Sequence, residues 1–211
     1  MLVLASASPR RQELLRHAGI PFTAQPADID ESPLDGESAK ACAERLAREK
    51  ALAVSAVREQ DCVLGADTIV VVDELILGKP RDLDDAFRML RMLSGRTHMV
   101  ITGVCLVEPV ASKQLPVGKT QPIQREASER LATGNRQLST VSETTLVTMC
   151  ELSDDDIRGY VATGEPMDKA GAYAIQGIAS RWIPRIEGDY SNVVGLPVAL
   201  VWRMLREGNL I

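Results

Sequence analysis

The chain has 211 residues and a net charge of -5, with 45% hydrophobic, 25% charged and only 3% aromatic residues. That length and balance give one α/β domain or two closely packed lobes with an ample core, and exclude disordered and fibrous classes. The acidic balance and the scarcity of rings exclude a nucleic-acid surface, so a phosphate-bearing partner must be small and met by a local basic cluster with a metal.

Leu2 to Ala5 reads as a short buried strand and Pro9 to Gly19 as a helix, with Ser8 at the N-cap and Pro9 at the first helical position. A loop from Pro21 to Gly36 carries Asp28, Asp30 and Glu31, and a second helix runs from about Ser38 to Val57. Its apolar stripe is Ala39, Ala43, Leu46, Ala53 and Val57, with Lys50 in the one gap. Cys62 to Val72 is a β-branched run that Asp73-Glu74 turns into a partner strand at Leu75 to Leu77. A helix from about Asp82 to Ser94-Gly95 presents Leu83, Ala86, Phe87, Leu90 and Leu93 on one face, and Thr97 to Val107 is a further strand. Residues 108–142, rich in Gln, Pro, Ser, Thr and Arg without a period, read as a long flexible insertion within a single domain of residues 1–211. Strand character returns from Glu143 to Cys150, Ser153 caps a helix ending near Gly164, Glu165 to Gly177 is a loop, Arg181 to Glu187 a last strand, and Pro197 opens a helix ending near Gly208.

Four cysteines without Cys-x-x-Cys spacing indicate neither zinc nor a disulfide framework, and two histidines leave histidine metal sites and a Ser/His/Asp triad unsupported. The apolar N-terminal run is too short for a secretory leader and no stretch reaches transmembrane length, so a cytoplasmic protein without a membrane partner is expected.

Four segments carry chemistry. In Ser6-Ala-Ser-Pro-Arg-Arg11 a strand leads into a helix N-terminus, whose unpaired N–H groups attract an anion. Arg10 and Arg11 sit at the positive end of the helix dipole and call for anionic compensation, from a phosphate or from surface carboxylates. Asp67, within Gly65-Ala-Asp67-Thr68, is a carboxylate inside an apolar strand, which needs a partner, a metal or a site to serve. Activating water beside a metal, ligating it, or a structural role in capping or in pairing with a neighbouring lysine would each account for Asp67. Alternation puts Asp67 and Thr68 on opposite faces, so both line one cleft only if the strand bends or ends there. Lys50 either snorkels to the surface or serves the site, Lys79 is placed to reach a triphosphate, and Glu31 could complete a carboxylate site with Asp67 for a hard divalent cation. In the loop 164–177, Gln176 carries a donor and an acceptor that can pair with a nucleobase edge or be satisfied by backbone.

Together, Leu4-Ala-Ser-Ala-Ser-Pro-Arg-Arg-Gln-Glu-Leu-Leu15, Arg48-Glu-Lys50, Gly65-Ala-Asp-Thr-Ile-Val70, Lys79-Pro-Arg-Asp82, the 164–177 loop and Asn192-Val-Val-Gly-Leu-Pro197 resemble the Maf family of nucleotide pyrophosphatases. The resemblance implies an elongated twisted α/β mixed sheet flanked by helices, with two lobes and a central cleft. It implies hydrolysis of a nucleoside triphosphate to monophosphate and pyrophosphate with a divalent cation, Mg2+ or Mn2+. Asp67 corresponds to the family's proposed general base, Glu31 to an acidic metal or water site, and Ser6, Arg11, Lys50 and Lys79 to phosphate-contacting positions. Arg10, Thr68 and Gln176 match the branch that acts on dTTP and UTP; a second branch, directed at 7-methyl-GTP, has Trp in place of that Arg. The alternatives are action on 7-methyl-GTP or other modified nucleotides, and a nucleotide-sensing regulator of septum formation without turnover. A homodimer is compatible with the sequence and not specified by it.

Overall fold

The computed structural model describes residues 1–109, 129–133 and 136–211. Among the described residues eight strands form one mixed sheet, and one central strand explains the rest. Strand β3 (Cys62–Val72) is buried along both faces, as its unbroken apolar run requires. On one edge it pairs antiparallel with β5 (Thr97–Pro109), from Val63 opposite Val107 to Val71 opposite Met99. The other edge is shared: β1 (Leu2–Leu4) pairs parallel at Cys62–Leu64, and β4 (Leu75–Leu77) pairs antiparallel at Val70–Val72. Among the described residues no strand pairs there with Gly65–Ile69, so the sheet has a notch five residues long. Outward from β5 lie β7 (Arg136–Thr148) and β6 (Glu129–Thr133), and β2 (Thr23–Ala24) flanks β1.

Helix α2 (Ala39–Ser55) covers the face of odd-numbered β3 residues. Its buried stripe is Cys42, Ala43, Leu46, Ala47, Lys50, Ala51 and Val54, whereas the expected Ala53 and Val57 face solvent. The true stripe keeps helical phase through Lys50, because small residues on this face let the helix sit close to the sheet. A Cβ on Gly65 would lie 2.1 Å from Ala47 O and one on Gly103 would lie 2.2 Å from Ala43 O.

The even-numbered face is divided. Helices α1 (Pro9–His17) and α6 (Val198–Glu207) pack Leu15, Leu200, Val201 and Met204 against Leu64 and Ala66. Helices α3 (Leu83–Leu93) and α4 (Asp154–Val161) pack Leu90, Leu93, Ile157 and Tyr160 with Val70 and Val72. Leu83, expected on the inner face of α3, is 56% exposed, because Asp82 caps the helix there and the burial begins one turn later. The two clusters meet at the notch, which gives the lobes and the cleft.

Three boundaries differ from the sequence reading. Strand β7 starts at Arg136 rather than Glu143, and β6 also lies within 108–142, while 110–128 and 134–135 lie outside the described residues. The last strand, β8, is only Arg185–Glu187, after a 3-10 turn at Ile178–Trp182. A five-residue helix, α5 (Tyr190–Val194), precedes α6, capped by Asp189 on the N–H groups of Ser191 and Asn192. No described helix is long and apolar enough to cross a membrane.

Candidate active site

The notch answers how Asp67 and Thr68 can share a cleft. The strand does not end there, since its pairing with β5 runs unbroken from Val63 to Val71; its other edge is bare, and Asp67 and Thr68 from opposite faces line the same opening. A cavity of about 730 Å³ lies there, lined by Ser6, Arg10, Arg11, Glu31, Lys50, Asp67, Thr68, Lys79 and Gln176 among others. All nine residues singled out in the sequence therefore line one space.

On the α2 side, Lys50 does not snorkel. Its ammonium is buried between two carboxylates, 2.6 Å from Asp67 Oδ1 and 2.5 Å from Glu31 Oε1. The lysine pairing left open for Asp67 is present, and the second oxygen, Oδ2, has no protein partner among the described residues. Glu31 Oε2 also accepts from Lys79 Nζ at 3.3 Å. Burial pushes the Glu31 carboxyl up, but the Lys50 hydrogen bond and charge, aided by Lys79, hold it below the ordinary value.

The loop bearing Glu31 is pinned to α2 by Glu37, which takes a two-pronged hydrogen bond from Arg45 at 2.8 and 2.9 Å and accepts from Leu34 N. The Arg45 hydrogen bonds hold the Glu37 carboxyl down at about 2, against a partial opposing effect of burial. Because the folded-state pKa is depressed, this contact stabilises the fold above about pH 4.5 and is lost as pH falls toward about 2. The urea midpoint of the wild type should therefore fall more steeply over that window than that of Glu37→Gln; parallel curves would discard the anchor.

On the opposite face, Arg11 is 9% exposed and donates Nε to Gly195 O at 2.7 Å, one terminal nitrogen to Ser6 Oγ at 3.3 Å and the other to Thr68 Oγ1 at 3.0 Å. Two of its five N–H groups have no protein partner among the described residues. Burial lowers its pKa, and the nearby Asp67 and Glu31 charges oppose that. Thr68 Oγ1 also lies 3.0 Å from Thr102 Oγ1 and 3.3 Å from Gly195 O. One hydroxyl has a single donor and two acceptor sites, so Thr68 is spent on aiming Arg11 and has little left for a base. Thr102 in turn donates to Asn192 O, and Asn192 Nδ2 donates to Val100 O and Thr145 Oγ1, each at 3.0 Å.

Arg10 forms an ion pair at 3.3 Å with Asp168, from the 3-10 turn at Glu165–Asp168. The two arginines at the helix N-terminus are thus treated differently: a carboxylate meets Arg10, and only neutral acceptors meet Arg11. Gln176 is exposed to the cavity, and its amide has no protein partner among the described residues, against the backbone-satisfied alternative. Tyr173 closes the apolar end, its hydroxyl 2.8 Å from Nε2 of His98, whose pKa burial lowers to about 4.

Sequence reasoning missed Thr102, Gly103, Asp168, Asn192 and Gly195. The readable signal was Thr102-Gly103 interrupting an apolar strand in the manner of Asp67-Thr68, with which they pair.

Five cationic side chains, Arg10, Arg11, Lys50, Lys79 and Lys169, line the cleft with three carboxylates, Glu31, Asp67 and Asp168. In a chain of charge -5, this site holds two positive charges in excess. Among the described residues no three potential metal ligands cluster, but Glu31 and Asp67, both paired to Lys50, could offer oxygens to a hard divalent cation, which needs only one or two carboxylates when phosphate oxygens and water fill the rest of its shell.

The family described as Maf-like protein matches residues 1–208. A protein of Koribacter versatilis named dTTP/UTP pyrophosphatase is 51% identical over 210 residues, covering 100% of this chain and 95% of its own length. Proteins of the same name from Moorella thermoacetica and Syntrophomonas wolfei are 48% and 47% identical, over 97% and 96% of this chain and 93% and 94% of their own lengths. A family pattern spanning both lobes, relatives aligned over nearly their whole lengths, and a cationic cleft around Asp67 lead to one conclusion: this chain belongs to the Maf family.

Proposed function

We propose that the chain is a nucleoside triphosphate pyrophosphatase that converts dTTP and UTP to the monophosphate and pyrophosphate. The observation that carries this reading is a cleft with excess positive charge surrounding a carboxylate on a bare strand edge. The names of the relatives supply the base preference. We read residues 1–211 as one catalytic unit.

In the proposed reaction a water oxygen bonds to the α-phosphorus while the bond to the bridging oxygen of the β-phosphoryl group breaks, and pyrophosphate leaves with that electron pair. Asp67 acts as the base that takes the water proton. Lys50, Lys79 and Arg11 neutralise charge that grows on the leaving pyrophosphate, and Ser6 keeps Arg11 in place. Glu31 and Asp67 would hold the divalent cation, Mg2+ or Mn2+, which when bound offsets the negative charge of the phosphates. Arg10 and Gln176 face the nucleoside end.

A panel of triphosphates with separate pyrophosphate and orthophosphate assays tests the class. We expect one pyrophosphate per dTTP or UTP consumed and a kcat/KM about tenfold or more above that for purine triphosphates. Orthophosphate as the sole inorganic product would sink the assignment, and a preference for 7-methyl-GTP would move the chain to the other branch.

A further inference from the structure

The cleft lining at Ala174–Gln176 is a turn held at both ends by one pair of side chains. The Tyr160 hydroxyl accepts from Ala174 N at 3.3 Å and donates to Glu165 Oε1 at 2.9 Å. Glu165 accepts from Ile178 N at the other end, at 3.1 Å on Oε1 and 3.3 Å on Oε2. The turn closes on itself through Gly177 N and Ala174 O at 3.1 Å. A Cβ on Gly177 would stand 2.1 Å from Glu165 Oε1, so the carboxylate lies directly against the turn. Tyr160 is itself 1% exposed and fixed edge-on to Trp182, with ring centroids 5.5 Å apart.

Between those ends, the backbone N–H and C=O groups of Ile175 and Gln176 have no protein partner among the described residues, and both residues line the cavity. A glutamine amide can turn end for end, so alone it cannot separate a base edge presenting a carbonyl and N–H from one presenting an amino group and a bare nitrogen. Backbone groups cannot reverse while the turn is held.

We propose that Tyr160 and Glu165 are positioning residues for base selection. By clamping residues 174–178 they fix the free backbone groups of Ile175 and Gln176 against the pyrimidine edge, which separates 4-oxo from 4-amino bases. This inference rests on the reading that the cleft takes a pyrimidine nucleoside triphosphate.

The test compares kcat/KM for UTP and CTP in the full chain, with inorganic tripolyphosphate as a competitor that reports on the phosphate end alone. Tyr160→Phe keeps the ring packing and removes the hydroxyl. It is expected to lower the UTP:CTP ratio about tenfold, with inhibition by tripolyphosphate constant within about twofold. Glu165→Gln retains one acceptor oxygen and should lower the ratio less. An unchanged ratio in both variants overturns the clamp, as does a parallel loss of tripolyphosphate inhibition, which would mark general damage. Gln176→Ala separates the underlying reading: we expect a raised KM for UTP, and an unchanged KM would mean that the base does not lie at this turn.

Discussion

Asp67→Asn is expected to lower turnover by about 10²–10⁴-fold, the usual worth of a positioned general base, while triphosphate binding persists. The substitution keeps the shape of the side chain and an oxygen that can still accept from Lys50, 2.6 Å away. What it removes is the ability to take a proton and one negative charge. Binding a polyanion should not suffer from losing a negative charge in a cleft where cations already outnumber carboxylates. Pyrophosphate release measures the first effect, and calorimetric titration with a non-hydrolysable triphosphate measures the second. Unchanged turnover would remove Asp67 from the chemistry; loss of binding together with turnover would assign it to holding the substrate.

Gly103→Ala should destabilise the fold by about 1–3 kcal/mol or more, the cost of forcing a methyl group into a packed interface. The added carbon would meet Ala43 O at 2.2 Å and Glu44 N at 2.7 Å, both backbone atoms of α2 that cannot rotate aside. At this chain length each kcal/mol lowers Tm by about 2–4 °C. Because the displaced helix carries Lys50, activity should fall at temperatures where the variant is still folded. Gly159→Ala is the matched control: it lies in α4 with nothing within 4 Å of the added carbon, and should be stabilising by about 0.5–1 kcal/mol. Similar melting curves for the two variants would discard the close helix-sheet contact.

Much of the architecture was legible because local signals agreed. The caps expected at Ser8 and Ser153 accept backbone hydrogen bonds in the structure, the helices expected to open near Ser38 and Asp82 do so with those residues as caps, and β3 and β4 have the expected limits. The first half of β7 was hidden because one of its two buried positions is Thr140, so apolar alternation fails where a hydroxyl faces inward. Helix α5 has one and a half turns, too few to produce a period. The stripe of α2 was misjudged for a similar reason: alanine is compatible with either side of a helix, and only tertiary contact decides which alanines are covered.

The site divides along the same line. Asp67 and Lys50 drew attention because each is a charge in an apolar pattern, and they are joined in the structure. That Thr68 supports Arg11 could not be read locally, since it depends on Gly195 and Thr102, distant in sequence. The notch was invisible altogether, because a strand edge is left bare by what its neighbours do rather than by its own residues.

That notch also bears on self-association. An uncovered strand edge is ordinarily an invitation to another chain, which can add a strand and begin an aggregate. Here the bare stretch is five residues, Gly65–Ile69, walled at one end by β1 and at the other by β4. An incoming strand would have to fit between two that are already paired, and it would meet Lys50, Lys79 and Arg11 on entry. The molecule can thus keep backbone hydrogen-bonding groups open to a small anionic ligand while denying them to copies of itself.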